Sequence, residues 1–410
     1  MVLNYLWVSF FLIAFVLASI QAFFYGNMQI FQQMVKATLE ASETGFQVAL
    51  GLTGTMTMWL GFMKIGEKAG IANVLAFLFG PFFRKLFPDI PANHPSLAPI
   101  FMKFSMNILG LDNASTPLGI KAMKEMQTLN PTPDTASNAQ IMFTVLNTTG
   151  LTLIPITIIA YRVQYGAKSP TDIFMPIMLS TSVTNITAML MVAFVQKINI
   201  FNKIILSYIL FFVGILLGTM FYFTTLPPAE ISRISAFFSN FLLFLLIISF
   251  ISMALFQKVN VYESFIEGAK EGFEVAIKII PYLVGILVGI AVFRASGALE
   301  FLLNSLKYVL QEVGVEGEYT FALPVAFLKP LSGTGASGMM QDIMKTYGAD
   351  SFMGYLACVF QGTTDTTLYI IAVYFGAVNI KKIRYTATIS LLADIIGLTA
   401  AIYITYFFFY

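Results

Sequence analysis

Apolar residues fill most of this chain in blocks of roughly 20, the length a helix needs to cross a bilayer, and polar patches interrupt them in few places. Uninterrupted blocks predict spans at 3–24, 45–64, 171–196, 203–224, 233–256, 274–293 and 385–409. The first is longer than a signal-peptide core and follows no basic segment, so it reads as a retained span. Residues 27–43 are amphipathic, with Gln32, Gln33, Lys36, Glu40 and Glu43, and are expected to lie along the interface ahead of the span at 45–64. A second amphipathic stretch, 257–271, joins the span at 274–293. Residues 70–87 close on Arg84 and Lys85 and are expected to cross only partly; 296–311 is their counterpart.

The interrupted blocks carry more information. In 97–127 an apolar half meets the polar tip Gly110–Pro117, and a second helix runs on to about Gln127. Each half is about 20 Å of helix, too short to cross, so a re-entrant hairpin is expected, with Pro117 in the first turn of its second arm and Ser115 or Thr116 as cap. A second hairpin, 321–346, has the tip Pro330–Gly338. Two further blocks read as broken spans: 134–160, interrupted at Asn147-Thr148-Thr149-Gly150, and 350–376, interrupted at Gln361–Thr367. Hydroxyls, an amide and a carboxylate at mid-depth are costly unless they face protein, water or a ligand. The plainer alternative is a Thr-rich packing seam.

The two halves repeat each other. Ser42–Ala49 (SETGFQVA) aligns with Ala269–Ala276 (AKEGFEVA), and Asn147–Leu153 aligns with Gly362–Leu368, which pairs Gly150 with Asp365. Each half reads as interfacial helix, span, short helix, hairpin, broken span, final span. The crossings between Gly45 and Gly272 (45–64, 134–161, 171–196, 203–224 and 233–256) are odd in number, so the repeats are expected to be inverted. Repeats with discontinuous helices in matching positions point to a transporter site. Lys381, Lys382 and Arg384 in one short loop are expected to be cytoplasmic; Arg162 and Lys168 then fall outside, against the positive-inside rule.

Composition narrows the function. The chain is 58% hydrophobic and 11% charged, against about 25% charged residues in soluble domains, and its mean hydropathy is +0.80. A net charge of +2 does not suggest nucleic acid. Cys358 and His94 are the sole residues of their types, which leaves no disulfide framework and nearly excludes the usual His/Cys zinc clusters and Ser-His-Asp triads. No nucleophile–base pair is visible, so an enzyme is not expected. Gly333–Gly338 matches G-x-G-x-x-G, but no β-strand precedes it, which removes the dinucleotide reading.

These segments resemble a known family. Residues 1–196 look like spore maturation protein A and residues 203–410 like spore maturation protein B, joined through 197–202. The resemblance rests on Ile108–Glu125 (ILGLDNASTPLGIKAMKE), Thr135–Asn138 (TASN), Ile280–Leu283 (IPYL), Arg294–Gly297 (RASG), Lys329–Gly335 (KPLSGTG), Gln361–Thr367 (QGTTDTT) and Ala372–Gly376 (AVYFG). It implies two Gate, or nucleoside-recognition, repeats, about 45–160 and 272–376. The arrangement is more distantly similar to concentrative nucleoside transporters, whose Gly-Gln-Thr-Glu-Ala-Pro-Leu tip is matched here by Gly110–Leu118, with Asp112-Asn113 in place of Gln-Thr-Glu.

The expected fold is therefore all-α: a polytopic membrane protein with two inverted repeats, each holding a re-entrant hairpin and a broken helix. The expected solute-binding residues are Asn113, Ser115, Thr116, Asn147, Thr148, Thr149, Ser332, Thr334, Ser337, Gln361, Thr363 and Thr364, at the tips and breaks. Asp365 and Asp112 are the ion-coupling candidates, able to carry a proton or bind Na+ with backbone carbonyls; the competing role is capping a half-helix. Asp394 reads as a structural acid, and Lys329 and Arg294 as neutralising nearby acids. The expected function is secondary active transport of a small polar or anionic solute, coupled to H+ or Na+ and needing no organic cofactor, in the bacterial cytoplasmic membrane. The alternative is a solute-binding membrane module or assembly factor without net transport. A homo-oligomer is left open.

Overall fold

The computed structural model describes residues 2–91, 93–108, 112–151, 155–225, 228–312 and 317–410. Among them the chain forms helices and no strands, in an order that states the repeat directly. After α1 (Val2–Phe24) come α2 (Ile30–Lys68), α3 (Ile71–Leu86), the pair α4 (Leu97–Ile108) and α5 (Asp112–Gln127), the broken helix α6 (Asn138–Thr148) and α7 (Ile156–Gln164), and α8 (Phe174–Val195). Two linking helices follow, α9 (Lys203–Thr224) and α10 (Pro228–Phe256). The second copy is α11 (Val261–Ala295), α12 (Ala298–Glu312), the pair α13 (Leu323–Leu328) and α14 (Gly333–Tyr347), the broken helix α15 (Phe352–Thr363) and α16 (Thr367–Gly376), and α17 (Thr386–Phe409).

Among the described residues, five helical stretches are long and apolar enough to cross a membrane: Trp7–Phe24, Ile30–Lys68, Phe174–Val195, Phe352–Gly376 and Thr386–Phe409. Shorter apolar helices occur at Lys203–Thr219, Asn240–Phe256 and Leu283–Ala295. The protein is a polytopic, all-α membrane protein.

Three expectations are corrected. The amphipathic stretch 27–43 is no separate interfacial helix, because it runs on into the span as one helix of 39 residues. At about 1.5 Å per residue this is roughly 58 Å, far more than the hydrocarbon core, so its polar first turns extend beyond the apolar slab. The turn between α13 and α14 is also shorter than the expected tip Pro330–Gly338, because Gly333–Gly338 forms the first turns of α14, capped by the Ser332 hydroxyl, which accepts from the Gly335 N–H at 3.0 Å. Finally, α5 begins at Asp112, so Ser115 and Thr116 lie inside the helix rather than at its cap, and Pro117 lies beyond its first turn. An acidic start suits the positive end of the helix dipole.

The chain contacts divide into two interleaved units. The first comprises Met1–Gly61, Thr157–Pro170 and Ile266–Gln361. Here α2 and α11 approach through glycines at matching repeat positions: a Cβ on Gly45 would lie 3.0 Å from Val284 Cα, and one on Gly272 would lie 2.6 Å from the Met56 carbonyl oxygen. Gly45 thus meets a late turn of α11, and Gly272 near the start of α11 meets a late turn of α2, so the two helices run antiparallel. On α1, Trp7 Nε1 donates to the Gly285 carbonyl and Gln21 Nε2 to the Ser296 carbonyl, both at 2.8 Å.

The second unit comprises Phe62–Ile156, Thr171–Phe265 and Gly362–Tyr410. Its apolar core gathers Phe83, Ile100, Phe104, Met123, Phe143 and Phe375 among others, with the Phe83 and Phe104 rings stacked at 4.5 Å. Helices α8 and α17 pack so closely that a Cβ on Gly397 would lie 1.9 Å from Thr184 Oγ1. Each broken helix gives one half to each unit: α6 and α16 to the second, α7 and most of α15 to the first.

Candidate functional site

Within the second unit the two breaks meet. The Asp365 N–H donates to the Thr148 carbonyl at 3.0 Å. Gly150, at φ +49°, leaves room that a Cβ would close, since that atom would lie 3.0 Å from Asp365 Cβ. Away from this crossing, the segment before α6 pairs with the segment after α16: the Lys381 and Lys382 N–H groups both donate to the Asp134 carbonyl at 2.9 Å. Helices α6 and α16 therefore run antiparallel from a shared crossing of the breaks.

A break frees backbone groups that lipid cannot satisfy, and the final helices supply the partners. Asn185 Nδ2 on α8 donates to the Thr149 carbonyl at 3.2 Å, and Asn185 Oδ1 accepts from the Thr149 hydroxyl at 3.0 Å. Thr181 donates to the Gly150 carbonyl at 3.0 Å. Side chains then cross reciprocally between the repeats: Thr148 donates to Ser390 on α17 at 2.9 Å, and its repeat mate Thr363 donates to Ser180 on α8 at 3.0 Å.

At the second break, Asp365 Oδ1 accepts the N–H of Thr366, the residue before α16, at 2.6 Å. The Thr367 hydroxyl donates to Asp394 Oδ2 at 2.5 Å, and Asp394 is 1% exposed. Thr364 is 4% exposed, and its buried hydroxyl has no hydrogen-bond partner among the described residues.

Three residues that the sequence reading passed over belong to this region. Lys103 on α4 is 4% exposed and donates to Asn107 Oδ1. Asn107 Nδ2 donates to Asn147 Oδ1 at 3.1 Å. Asn185 is the third. Lys103 had a visible signal, a lone charge in the middle of a short apolar arm, where an ionisable residue is a functional candidate by default. A cavity of about 100 Å³ lies beside these groups, with Asn107, Asn185, Ser182 and Tyr208 in an otherwise apolar, aromatic wall.

The first unit holds the remaining candidates. Ser332 caps α14 and lies 3.3 Å from the Thr334 hydroxyl. Gln361 Nε2 donates to the Gly333 carbonyl at 3.4 Å, while Gln361 Oε1 is buried with no hydrogen-bond partner among the described residues. Ser337 accepts from Gln341 Nε2 through its carbonyl at 3.2 Å and its hydroxyl at 3.4 Å. Arg294 pairs with Asp342, and with Glu300 at 3.5 Å. The side chains of Asp112, Asn113 and Ser115 lie outside the described residues, though their backbone opens α5; the tip 109–111 also lies outside them.

The charges flanking the broken helices are tied down. Arg162 is fully buried, donating to the Ala349 carbonyl at 2.6 Å and to Asp350 at 3.1 Å, with its guanidinium 4.6 Å from the Tyr355 ring centre. A buried, paired arginine is no free loop charge, which removes much of its apparent conflict with the positive-inside rule. In the second unit Arg384 donates to the Ala136 carbonyl and to Asn138, and Lys382 lies 3.7 Å from Asp134. The Thr135 hydroxyl, and after it Lys382, hold the Asp134 carboxyl below its ordinary value.

A repeated element order with paired breaks is matched by a family model for nucleoside recognition, named Gate, over residues 49–164 and again over 276–381. The chain belongs to the Gate family. Two relatives come from Bacillus subtilis (strain 168). Spore maturation protein B is 54% identical over 148 residues, 36% of this chain and 82% of the relative. Spore maturation protein A is 39% identical over 187 residues, 46% of this chain and 92% of the relative. This Gate protein is thus homologous to both, as a fusion of A and B in one chain would be.

Proposed function

We propose that this Gate protein is a secondary active transporter of a small polar or anionic solute, coupled to H+ or Na+, in the bacterial cytoplasmic membrane. The observation that carries this reading is the crossing of the breaks, where Asp365 donates its N–H to the Thr148 carbonyl. Two discontinuous helices from matching repeats, met at their interruptions, are the arrangement on which transporters build solute and ion sites. The reading takes the repeats as inverted and each helix pair as a re-entrant hairpin. Thr148, Thr149, Thr363 and Thr364 supply hydroxyls or carbonyls to the solute, together with Asn147, and with Asn113, Ser115 and Thr116 on α5. Ser332, Thr334, Ser337 and Gln361 form the second group. Asp365, or failing it Asp112, carries the coupling ion. The chemistry is binding and translocation, not catalysis.

The test is flux. Purified protein in liposomes, with imposed pH or Na+ gradients, is offered nucleosides, dicarboxylates and small peptides, preselected by thermal shift. Ligand at 100 times its dissociation constant stabilises by about 2.7 kcal/mol. Gradient-driven accumulation supports the proposal. Saturable binding without flux under any gradient favours a non-transporting solute-binding module. Cysteines at Ser42 and Ala269 test the inverted topology separately: labelling from one and the same side removes it.

A further inference from the structure

One end of the second unit is far more basic than the chain as a whole. Several connections meet there. Gln196, after α8, donates to the Asn138 carbonyl at 2.8 Å, and Arg384, before α17, donates to the Asn138 side chain at 3.0 Å. Gln127, at the end of α5, donates to the Pro133 carbonyl at 2.9 Å, and Thr128 lies 3.3 Å from His94, between α3 and α4. The start of α9 joins through α3, where the Phe82 and Tyr208 rings lie 5.1 Å apart. Residues 84–97, 121–138, 196–203 and 381–386 hold nine Lys or Arg and three Asp or Glu, a net of +6 where the whole chain carries +2. All nine cations are exposed. Among the described residues, one of the nine is in an ion pair, Lys382 with Asp134 at 3.7 Å.

This end also marks an edge of the apolar slab. Helices α8 and α17 are both long and apolar enough to span. Their touching residues, Thr184 and Gly397, stand equally far from the end of α8 and from the start of α17, so those two helix ends are level. Lys197 lies two residues beyond the one and Arg384 two residues before the other. On either side of Lys197, Phe194 and Phe201 are 86% and 78% exposed, and Lys203 opens α9. The same turn thus presents bare aromatic rings and unpaired ammonium groups. A soluble polyanion would leave the rings in water, and a neutral lipid would leave the charges unanswered. We infer that the α8–α9 turn, with Lys197, Phe201 and Lys203, and the neighbouring Arg84 and Lys85 in the last turn of α3 hold an anionic phospholipid. Its phosphate sits among the four cations and its acyl chains lie along Phe194 and Phe201. The lysine stems run over apolar surface while their ammonium groups stay in the headgroup layer. This site is independent of the transport reading and survives its failure.

The experiment follows thermal unfolding of the purified full chain in neutral detergent as phosphatidylglycerol replaces phosphatidylcholine at constant total lipid. The unsubstituted protein is expected to gain an upward shift that saturates with phosphatidylglycerol and shrinks as salt is raised. Arg84→Gln, Lys85→Gln, Lys197→Gln and Lys203→Gln together are expected to leave the midpoint in phosphatidylcholine unchanged, since these exposed side chains are in no ion pair, and to remove more than half of the shift. The charge-keeping set Arg84→Lys, Lys85→Arg, Lys197→Arg and Lys203→Arg is expected to retain it. Glycerol phosphate, the headgroup without chains, is expected to give no shift at the same concentration. Absence of a phosphatidylglycerol shift in the unsubstituted protein overturns the assignment, as does an undiminished shift in the Gln set. An equal shift with glycerol phosphate overturns the lipid and leaves a plain anion site. If the fourfold Gln variant does not fold in phosphatidylcholine, Lys197→Gln with Lys203→Gln decides: a reduced shift upholds the assignment and an undiminished one overturns it.

Discussion

Gly150 and Asp365 hold matching positions in the two repeats, and they touch: a Cβ added to Gly150 would lie 3.0 Å from Asp365 Cβ. The contact depends on glycine twice, for the missing side chain and for a φ of +49°. Gly150→Ala is therefore expected to destabilise the protein by about 1–3 kcal/mol through backbone strain and displacement of the second break. Asp365→Gly added to Gly150→Ala removes the clash but leaves the strain, so partial recovery is expected. A double-mutant cycle on unfolding midpoints measures the coupling; additive effects would show that the two breaks are not in contact.

Gly272 gives a second prediction with an internal control. A Cβ there would lie 2.6 Å from the Met56 carbonyl oxygen, which is backbone and cannot swing aside, whereas a Cβ on Gly54 meets nothing within 4 Å. Gly272→Ala is expected to cost about 1–3 kcal/mol, as overpacking does, and Gly54→Ala to be neutral or slightly stabilising in the same helical context. Equal melting shifts for the two would contradict the close approach of α2 and α11.

Both relationships show what the sequence could and could not disclose. The repeat was legible because its glycines and polar interruptions recur at matching positions, and the breaks were legible because Thr, Gln and Asp are too costly in lipid to be placed idly. The partners were not. Nothing in a linear pattern says that Thr148 reaches Ser390 while Thr363 reaches Ser180, because that exchange depends on which final helix packs on which break. Lys103 was overlooked although its signal was local. The length of the tip Pro330–Gly338 was not legible because glycine usually marks turns, yet its Gly333–Gly338 part opens a helix whose Gly338 fits against Ile286, with a Cβ there only 3.0 Å from Cγ2. Arg162 read as a misplaced loop charge because its partner, Asp350, lies in the other repeat.

That arginine supports a graded prediction about the charged ends of the broken helices. Arg162 is fully buried and Asp350 is largely so, whereas Lys382 and Asp134 are 72% and 47% exposed at 3.7 Å. Removing one partner of a buried pair strands the other. Arg162→Met is expected to cost about 3–5 kcal/mol and Lys382→Met less than about 1 kcal/mol. Raising salt is expected to shrink the second effect and leave the first. Comparable losses for both variants would show that burial does not set the strength of these pairs.

Asp365→Asn separates the structural from the coupling role of the second break. Asp365 Oδ1 accepts the Thr366 N–H at 2.6 Å, and an asparagine oxygen can accept the same bond. Asparagine keeps that acceptor and nearly the same size, so the variant is expected to fold, insert and melt much as the unsubstituted protein does. Losing the ionisable group acts elsewhere. A polar patch kept only for packing could recur unchanged in both repeats, but here one copy carries Asp365 and the other Gly150, as suits a single coupling ion. In liposomes, accumulation of whichever solute the flux screen identifies is expected to be lost in Asp365→Asn, with its pH or Na+ dependence flattened, while binding survives in weaker form. Uptake and binding are to be measured across pH, with and without Na+. Undiminished accumulation would reject Asp365 as the coupling residue and transfer the role to Asp112 at the start of α5. A variant that fails to fold would instead assign Asp365 a structural charge, which its bond from the Thr366 N–H does not predict.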